Sequence, residues 1–592
     1  MKKVLVPVLA ATFTLSSFNA VMAAPKEPVK IKSVEFIGMD APKTEQEKAE
    51  LMYSKASVKV TYNDGTKKTV PLSYETLFKP GDVINGKIAG VTMNANGQVM
   101  TKSNGNPYVS TAPDMNSLMK VSGLPENTYY LISHYESMPK NESGLENPGT
   151  MSLSTVKMDP ATGELTVIDI KPIDFSAVHG IWKPCAGLLT PWNTHLGSEE
   201  TDPDARAHEK NPSASAVTNF MKNYYNDPTL IGNPYFYGHV PEVTVDAKGS
   251  TKVVKHYSMG RMAFERVKVM PDNRTVIYGI DSNPGGLFMY VADNEKDLSA
   301  GTLYAAKWVQ TGTENGGSGN LEWIKLGHAD DKEIEKLAET TKISDIFEAT
   351  DDAVKGKAEG YKAIKTAANS GKVEWVKVKP GMETAAAFLE THRYAAYLGA
   401  TVEFNKMEGL DFNEKDNKAY VAISYQEKTM LTDPAAPADD IQLPKISSGG
   451  VYELFFQPNR KTMDGMKINS HYVPVSMTGT LIGEDLAAAP DADGNTANVD
   501  KIANPDNVVF SQDMRTLFIA EDSDKHENNY TWAYNVDTKK LSRILSVPGG
   551  GESTGLQMVD NLDGHTYLMN SSQNPGYVGY ISGLPFMGKD KK

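Results

Sequence analysis

One short segment brings together residue types that metal chemistry needs. Residues 182–200 hold the only cysteine of the 592-residue chain, Cys185, and end on the acidic pair Glu199 and Glu200. Two carboxylates drawn into one site repel each other unless a cation neutralises them. A thiolate suits a borderline metal such as iron, whereas carboxylates suit calcium. The segment therefore predicts a metal site, with a buried inert thiol and a solvated acid pair as the plainer alternatives.

Other motifs are weaker candidates for catalysis. Residues 551–555 fit the nucleophile-elbow formula around Ser553, but a turn and a strand follow where that motif requires a helix. Residues 491–494 lack the ligand spacing of an EF-hand. The sequence contains neither a His-Glu-x-x-His zinc helix nor a Walker loop. The cysteine segment therefore remains the most informative stretch.

The net charge of the chain argues against nucleic acid as a binding partner. It has 60 Lys and Arg against 74 Asp and Glu, which gives a net charge of −14. Nucleic-acid binding needs clustered Lys and Arg on the surface, so we expect no nucleic-acid partner. An excess of acidic side chains suits hard cations such as Ca²⁺.

The amino terminus predicts export. Lys2 and Lys3 precede an apolar run over residues 4–18, and a small-residue cleavage site ends at Ala23. This is typical of a signal peptide over residues 1–23. It has no twin arginine, which favours Sec-type export to the periplasm or the medium. The apolar run is too short for a membrane span, so we expect no stable one.

The remaining pattern predicts an all-β fold. Short runs of β-branched and aromatic residues alternate with Asp, Asn and Gly turns, as in 270–279 and 510–519. So many hairpins would leave many sheet edges unless they close into a ring, which favours a β-propeller over a pair of β-sandwiches. We expect a partly β extension over 24–124 and a propeller over 125–585. A helical insertion is expected at about 329–398.

The order of the motifs resembles the PhoX family of bacterial alkaline phosphatases. The cysteine segment is similar to the family's C-A-G-x-x-T-P-W-x-T-x-L-x-x-E-E. The resemblance covers roughly residues 125–580. Further similar segments are 260–265 (G-R-F-x-H-E), 279–281 (G-D-D), 298–304 (L-x-x-G-T-L-Y), 405–409 (R-P-E-G), 504–507 (N-P-D-N/G), 552–555 (E-x-T-G) and 573–576 (Q-H-P-G).

This resemblance implies a fold, a reaction and a set of site residues. It implies a six-bladed β-propeller that hydrolyses small phosphate monoesters, as a monomer, at a cluster of Ca²⁺ and Fe³⁺ near the axis. Lys406 stands where the family has a phosphate-binding arginine and would be catalytic. The implied metal ligands are Cys185, Glu199, Glu200, Glu265, Asp281 and Glu408.

Four departures from the family pattern leave alternatives open. Phe264 and Asn574 replace histidines, Ile280 replaces an aspartate and Lys406 replaces an arginine. A lysine is a point charge rather than a bidentate fork, so phosphate binding through it would be weaker. The alternatives are a calcium-binding propeller that acts on phosphodiesters or other esters, and a propeller that binds a ligand without catalysis.

Overall fold

The fold is described from a computed structural model of the protein. It describes Met1 and residues 29–588. The predicted signal peptide, apart from Met1, lies outside the described residues. Within the described range, no helix has the length and apolarity that a membrane crossing requires.

A small sheet and one short hairpin come first among residues 29–588. The first three strands form an antiparallel sheet in the order β1-β2-β3, and β5 and β6 form a separate hairpin. The elements are β1 (Ile31–Ile37), α1 (Glu45–Ala49), β2 (Ser57–Tyr62), β3 (Lys67–Pro71), β4 (Ser73–Phe78), β5 (Val83–Ile84) and β6 (Lys87–Ile88).

The next strands build two four-stranded antiparallel sheets, in the orders β10-β9-β8-β7 and β11-β12-β13-β14. Two helices lie between β12 and β13 that the sequence reading did not predict. The elements are β7 (Pro113–Met119), β8 (Thr128–Tyr135), β9 (Thr150–Met158), β10 (Leu165–Pro172), β11 (Gly187–Leu189), β12 (His195–Gly197), α2 (Ala205–Lys210), α3 (Ala216–Tyr225), β13 (Val240–Val245) and β14 (Thr251–His256).

A nine-stranded antiparallel sheet forms the middle of the molecule. Its order is β15-β16-β17-β18-β19-β26-β25-β24-β23, so two meanders are joined through the long strand β19. Its strands are β15 (Phe264–Val269), β16 (Thr275–Ile280), β17 (Phe288–Asn294), β18 (Asp297–Gly312), β19 (Ser318–Asp330), β23 (Met407–Asn413), β24 (Lys418–Ile423), β25 (Gly450–Gln457) and β26 (Val473–Ile482).

The segment between β19 and β23 is the predicted insertion. It contains helices, as expected, and also a three-stranded sheet in the order β20-β22-β21 that was not predicted. Two of the three strands have only four residues, too few to show a clear alternation. The elements are α4 (Asp331–Thr340), α5 (Ile343–Ile346), β20 (Phe347–Thr350), α6 (Ala353–Ala358), β21 (Lys362–Lys365), β22 (Val373–Val378), α7 (Glu383–Leu389) and α8 (Thr391–Leu398).

Two last sheets complete the ring. One has the order β27-β28-β29-β30, and the other pairs β31, β32 and β33 with β4 from the amino-terminal part. The strands are β27 (Pro505–Ser511), β28 (Thr516–Glu521), β29 (Tyr530–Asn535), β30 (Lys540–Ser546), β31 (Glu552–Leu562), β32 (His565–Gln573) and β33 (Tyr577–Ser582).

The first strands of these sheets contact one another in a closed circle. Going round, β7 contacts β11, and the contacts continue through β15, β23, β27 and β31 back to β7. This ring confirms the predicted all-β propeller. Because hydrogen bonding runs without a break through nine strands of one sheet, the count of six separate blades stays a prediction. The domain limits also stay a prediction, although β4 and β7 from the expected extension take part in the ring sheets.

A buried histidine links the ring to the insertion. His256, at the end of β14, places Nε2 2.8 Å from Glu242 Oε2 and Nδ1 2.9 Å from Asp331 Oδ2, at the start of α4. Burial acts to lower the pKa of His256, but the hydrogen bonds to these two carboxylates outweigh it and raise the pKa to about 10. The side chain is therefore a charged clamp between ring and insertion.

We predict that His256→Gln lowers the free energy of unfolding by about 2 kcal/mol at pH 6, because two partly buried carboxylates lose a buried cation. The folded-state pKa lies above the unfolded value of about 6.5. The stabilisation is therefore complete below that value and is lost as the pH rises through about 10. Denaturant titrations at pH 6 and above pH 10 should show the difference between variant and wild type shrinking.

The control for this prediction is His328→Gln. His328 pairs with Asp293, but both side chains are nearly half exposed, at 48% and 45%. The loss there should stay below about 0.5 kcal/mol. A His256→Gln deficit that is the same at both pH values would contradict the charged clamp.

Candidate metal centre

The six strands that form the closed circle are the inner strands of the ring, and five of them carry an acidic residue near their beginning. Each lies in the first or second position of its strand, and a register shift in strand pairing follows within a few residues. Such bulges bend the strand and re-aim side chains. Because the inner strands surround one axis, their equivalent ends converge. The residues are Asp114 (β7), Glu265 (β15), Glu408 (β23), Asp506 (β27) and Glu552 (β31).

Three adjoining groups of side chains could each hold a metal ion. In each group the ligand atoms lie within 4.8 Å of one another. Cys185 belongs to two groups and Glu265 to two, so the groups form one continuous row. Cys185 Sγ lies 3.3 Å from Asp114 Oδ2 and 3.8 Å from Glu265 Oε2. The groups are Asp114, Glu136 and Cys185; Cys185, Glu200 and Glu265; and Glu265, Asp281 and Glu408.

We call the seven residues of these three groups the acid row. Burial and mutual repulsion disfavour negative charge on its carboxylates. Burial, and then the charge of Glu136, raise the pKa of Asp114 to about 7. Burial and Asp281 raise that of Glu408 to about 7 as well. The pKa of Glu265 is held well above its ordinary value by burial, then by Glu408. A bound cation would reverse these shifts.

The donor set fits metal ions. Hard carboxylate oxygens suit Ca²⁺, and the thiol among them suits a softer ion such as iron. Oε2 of Glu200 is buried and has no hydrogen-bond donor among the described residues. A buried carboxylate oxygen without a hydrogen-bond donor is available to bind a metal ion. The row is therefore chemically suited to several cations side by side.

Two lysines flank the row. Lys406 Nζ lies 3.0 Å from Glu408 Oε1 and 3.4 Å from Asp281 Oδ2. Lys183 Nζ, which sequence reasoning missed, lies 2.9 Å from Glu200 Oε1 and 3.2 Å from an oxygen of Glu136. The charge of Glu408 is the main cause that raises the pKa of Lys406. Both lysines remain partly exposed, so they could meet an anion that approaches the row.

The structure brings most of the predicted residues together. These are Cys185, Glu200, Glu265, Asp281 and Glu408 in the row, with Lys406 beside it.

Glu199, which was expected to be a metal ligand, lies apart from the row. Its Oε1 accepts hydrogen bonds from Lys255 Nζ and Trp182 N, both at 2.9 Å, and its Oε2 accepts from the backbone of Gly238 and His239. Successive side chains of an extended segment point to opposite sides. When Glu200 faces the row, Glu199 must therefore face away.

Several residues of the site were missed. Asp506 and Glu552 lie within segments that resemble family motifs. Asp506 is buried and Glu552 is partly buried, and the pKa of each is held well above its ordinary value, first by desolvation. Gln573 donates to Asp114 Oδ2 at 3.2 Å and to Glu136 Oε2 at 2.7 Å. The signal that could have found these acids is their shared position at the start of an inner strand.

Comparison with known proteins decides the family. Residues 146–576 match the family model described as Alkaline phosphatase PhoX. The chain belongs to the PhoX family. The match confirms the predicted enzyme class, a metal-dependent alkaline phosphatase.

One of two similar solved structures supports the fold. "Pseudomonas fluorescens PhoX in complex with vanadate, a transition state analogue" has a TM-score of 0.56 at 15% identity, over 90% of this chain and 97% of that one. A putative 6-phosphogluconolactonase from Bacteroides uniformis has a TM-score of 0.27 at 12% identity, over 83% and 91%. No curated protein matches the chain. The Pseudomonas structure confirms the fold of this PhoX protein.

The two neighbouring glutamates should respond differently to substitution. We predict that Glu199→Gln lowers the free energy of unfolding by about 3 kcal/mol, with metal or with chelator, because Lys255 stays buried without its partner. Glu265→Gln should raise the stability of the chelated protein by at least about 1 kcal/mol, because it removes one acid from a repulsive row. Denaturant titrations with calcium and with chelator measure both effects.

Metal analysis of the same samples provides the matched comparison. Glu265→Gln should bind less metal than the wild type, whereas folded Glu199→Gln should bind as much. Equal metal contents in the two variants would contradict the assignment of Glu265 to the centre and of Glu199 to the scaffold.

Proposed function

We propose that this PhoX protein hydrolyses small phosphate monoesters at the acid row, after Sec-type export to the periplasm or the medium. One observation carries this proposal: a lysine, Lys406, lies beside a buried row of metal-ligand residues. The arrangement offers an anion both a fixed cation and the charge of bound metals. Phosphoryl transfer depends mainly on such positioning and charge stabilisation.

We propose Ca²⁺ and Fe³⁺ as the metals of the row. Cys185 and Glu265, which are shared between adjoining groups, would hold iron, since the thiolate is the softest donor. Carboxylates farther along the row, such as Asp114 and Glu136, would hold calcium. Bound there, the ions supply the positive charge that clamps phosphate oxygens.

Lys406 would bind a phosphate oxygen through Nζ. Its backbone is held on both sides, since its N donates to Ser282 O and its O accepts from Ser424 N, both at 3.1 Å. Ser424 Oγ in turn donates to Glu408 Oε1 at 3.2 Å. The cation is therefore positioned by the same segments that carry Asp281 and Glu408. The Pseudomonas relative is in complex with vanadate, a transition-state analogue, which supports an oxyanion pocket in the same fold.

Two of the four departures from the family pattern lie away from the row. Phe264 and Ile280 are fully buried in the apolar core of the ring and the insertion. Each is the strand neighbour of a row residue, Glu265 and Asp281, and so faces the other side of its strand. These two substitutions therefore leave the row intact, which favours a catalytic protein over a propeller that only binds a ligand.

The experiment is hydrolysis of 4-nitrophenyl phosphate by the metal-loaded protein. We predict that excess chelator abolishes turnover. Lys406→Gln should lower kcat/KM by about 100-fold, because one preorganised donor to the transferring group is lost. Lys406→Arg should keep much of the activity, since it preserves the charge.

The control is Lys87→Gln. Lys87 also pairs with a carboxylate, Asp169 at 2.8 Å, but on the outside of the ring. It should leave kcat/KM unchanged. Turnover of bis(4-nitrophenyl) phosphate in preference to the monoester would favour the phosphodiester alternative. No turnover of either ester by protein shown to contain both metals would favour the ligand-binding alternative.

A further inference from the structure

One aromatic side chain stands next to the proposed phosphate site without a role in it. Tyr425 directly follows Ser424, which contacts both Lys406 and Glu408. Burial is the main cause of the raised pKa of the Tyr425 hydroxyl, and the nearby charges of Lys406, Asp281 and Glu408 also affect it. The ring therefore lies beside the acid row, near Lys406.

Hydrogen bonds hold this ring in one orientation. Asn283 Nδ2 donates to the Tyr425 hydroxyl at 2.5 Å, and Asn283 Oδ1 accepts from Asn405 Nδ2 at 2.5 Å. Asn283 is two residues beyond Asp281, and Asn405 adjoins Lys406. The ring is thus tied to the segments that carry the site. An aromatic ring that is already fixed loses little entropy when a ligand stacks on it.

The surroundings of Tyr425 are open and cationic on one side. The ring is half-buried, and the exposed Lys428 places Nζ 5.0 Å from the ring centroid and 3.5 Å from the hydroxyl. The insertion also reaches this edge, since a Cβ on Gly371 would lie 3.6 Å from Asn283 O. The rim beside the phosphate site therefore consists of an oriented ring with a lysine and the tip of the insertion.

We propose that Tyr425 determines substrate specificity by stacking against flat aromatic or heteroaromatic groups in the alcohol part of the substrate. The preferred substrates would be phosphate monoesters such as nucleoside 5′-monophosphates. Stacking of a base on an aromatic side chain contributes about tenfold or more in affinity and tolerates different bases. Lys428 adds positive charge beside the ring. This inference rests on the proposed phosphatase function and names its substrate class.

The test compares adenosine 5′-monophosphate with glycerol 1-phosphate, because both release a primary alcohol and differ in the flat base. The measured quantity is the ratio of the two kcat/KM values. It should fall about tenfold in Tyr425→Ala and in Tyr425→Leu, which keeps the bulk of the side chain. Tyr425→Phe keeps the ring but loses the hydrogen bond that orients it, so the ratio should fall much less than in the Ala and Leu variants. An unchanged ratio in the Ala and Leu variants, or an equal fall in the Phe variant, would overturn the proposal.

A binding measurement separates this proposal from the proposed function. Calorimetric titration of wild type and Tyr425→Leu with adenosine 5′-monophosphate and with inorganic phosphate needs no turnover. The proposal predicts that the variant binds the nucleotide about tenfold more weakly and binds phosphate equally well. This result would support stacking on Tyr425 even if no ester is hydrolysed. Equal binding of the nucleotide by both proteins overturns it, even if the enzyme is active.

Discussion

The structure depends on the repulsion between carboxylates that the fold buries side by side. Asp114, Glu265 and Glu408 come from strands far apart in the chain, yet the ring brings them into one row with Cys185. Such a row is costly unless cations enter it. Closure of the ring, through the pairing of β4 with β33, holds the inner strands around the axis against that cost. The bulge near the start of most inner strands turns an acid toward the same point.

Some cationic side chains stabilise the fold, and others lie at the edge of the acid row. Lys255 is fully buried and satisfies Glu199, so this pair fixes the segment that carries Glu200. Lys183 and Lys406 stay partly exposed at the edge of the row. His256 and its two carboxylates attach the insertion at another point of the ring. Buried cations thus hold the frame, and the partly exposed ones remain able to meet an anion.

Much of the fold and part of the site could be predicted from the sequence. Alternating strands with hairpin turns predicted the propeller, and motif order pointed to Cys185, Glu265 and Glu408, which the structure brings together. Asp114 was missed because its distance to Cys185 depends on packing between two different sheets, which no local pattern encodes. Glu199 lies apart from the row, although the family resemblance implied both acids as ligands, because an extended chain sends adjacent side chains to opposite sides. The pairing of β4 with β33 joins residues about 500 positions apart and has no local signal.

The most direct test of the metal centre is a crystal structure of the protein loaded with calcium and iron, with anomalous scattering recorded at the iron edge. We predict iron scattering at bonding distance from Cys185 Sγ and Glu265, and calcium at the neighbouring carboxylates. Lys183 and Lys406 should then face away from the metal-bound oxygens and toward the open side of the row. Crystals of turnover-competent protein with no metal at Cys185, Glu265 or Glu408 would contradict the metal centre.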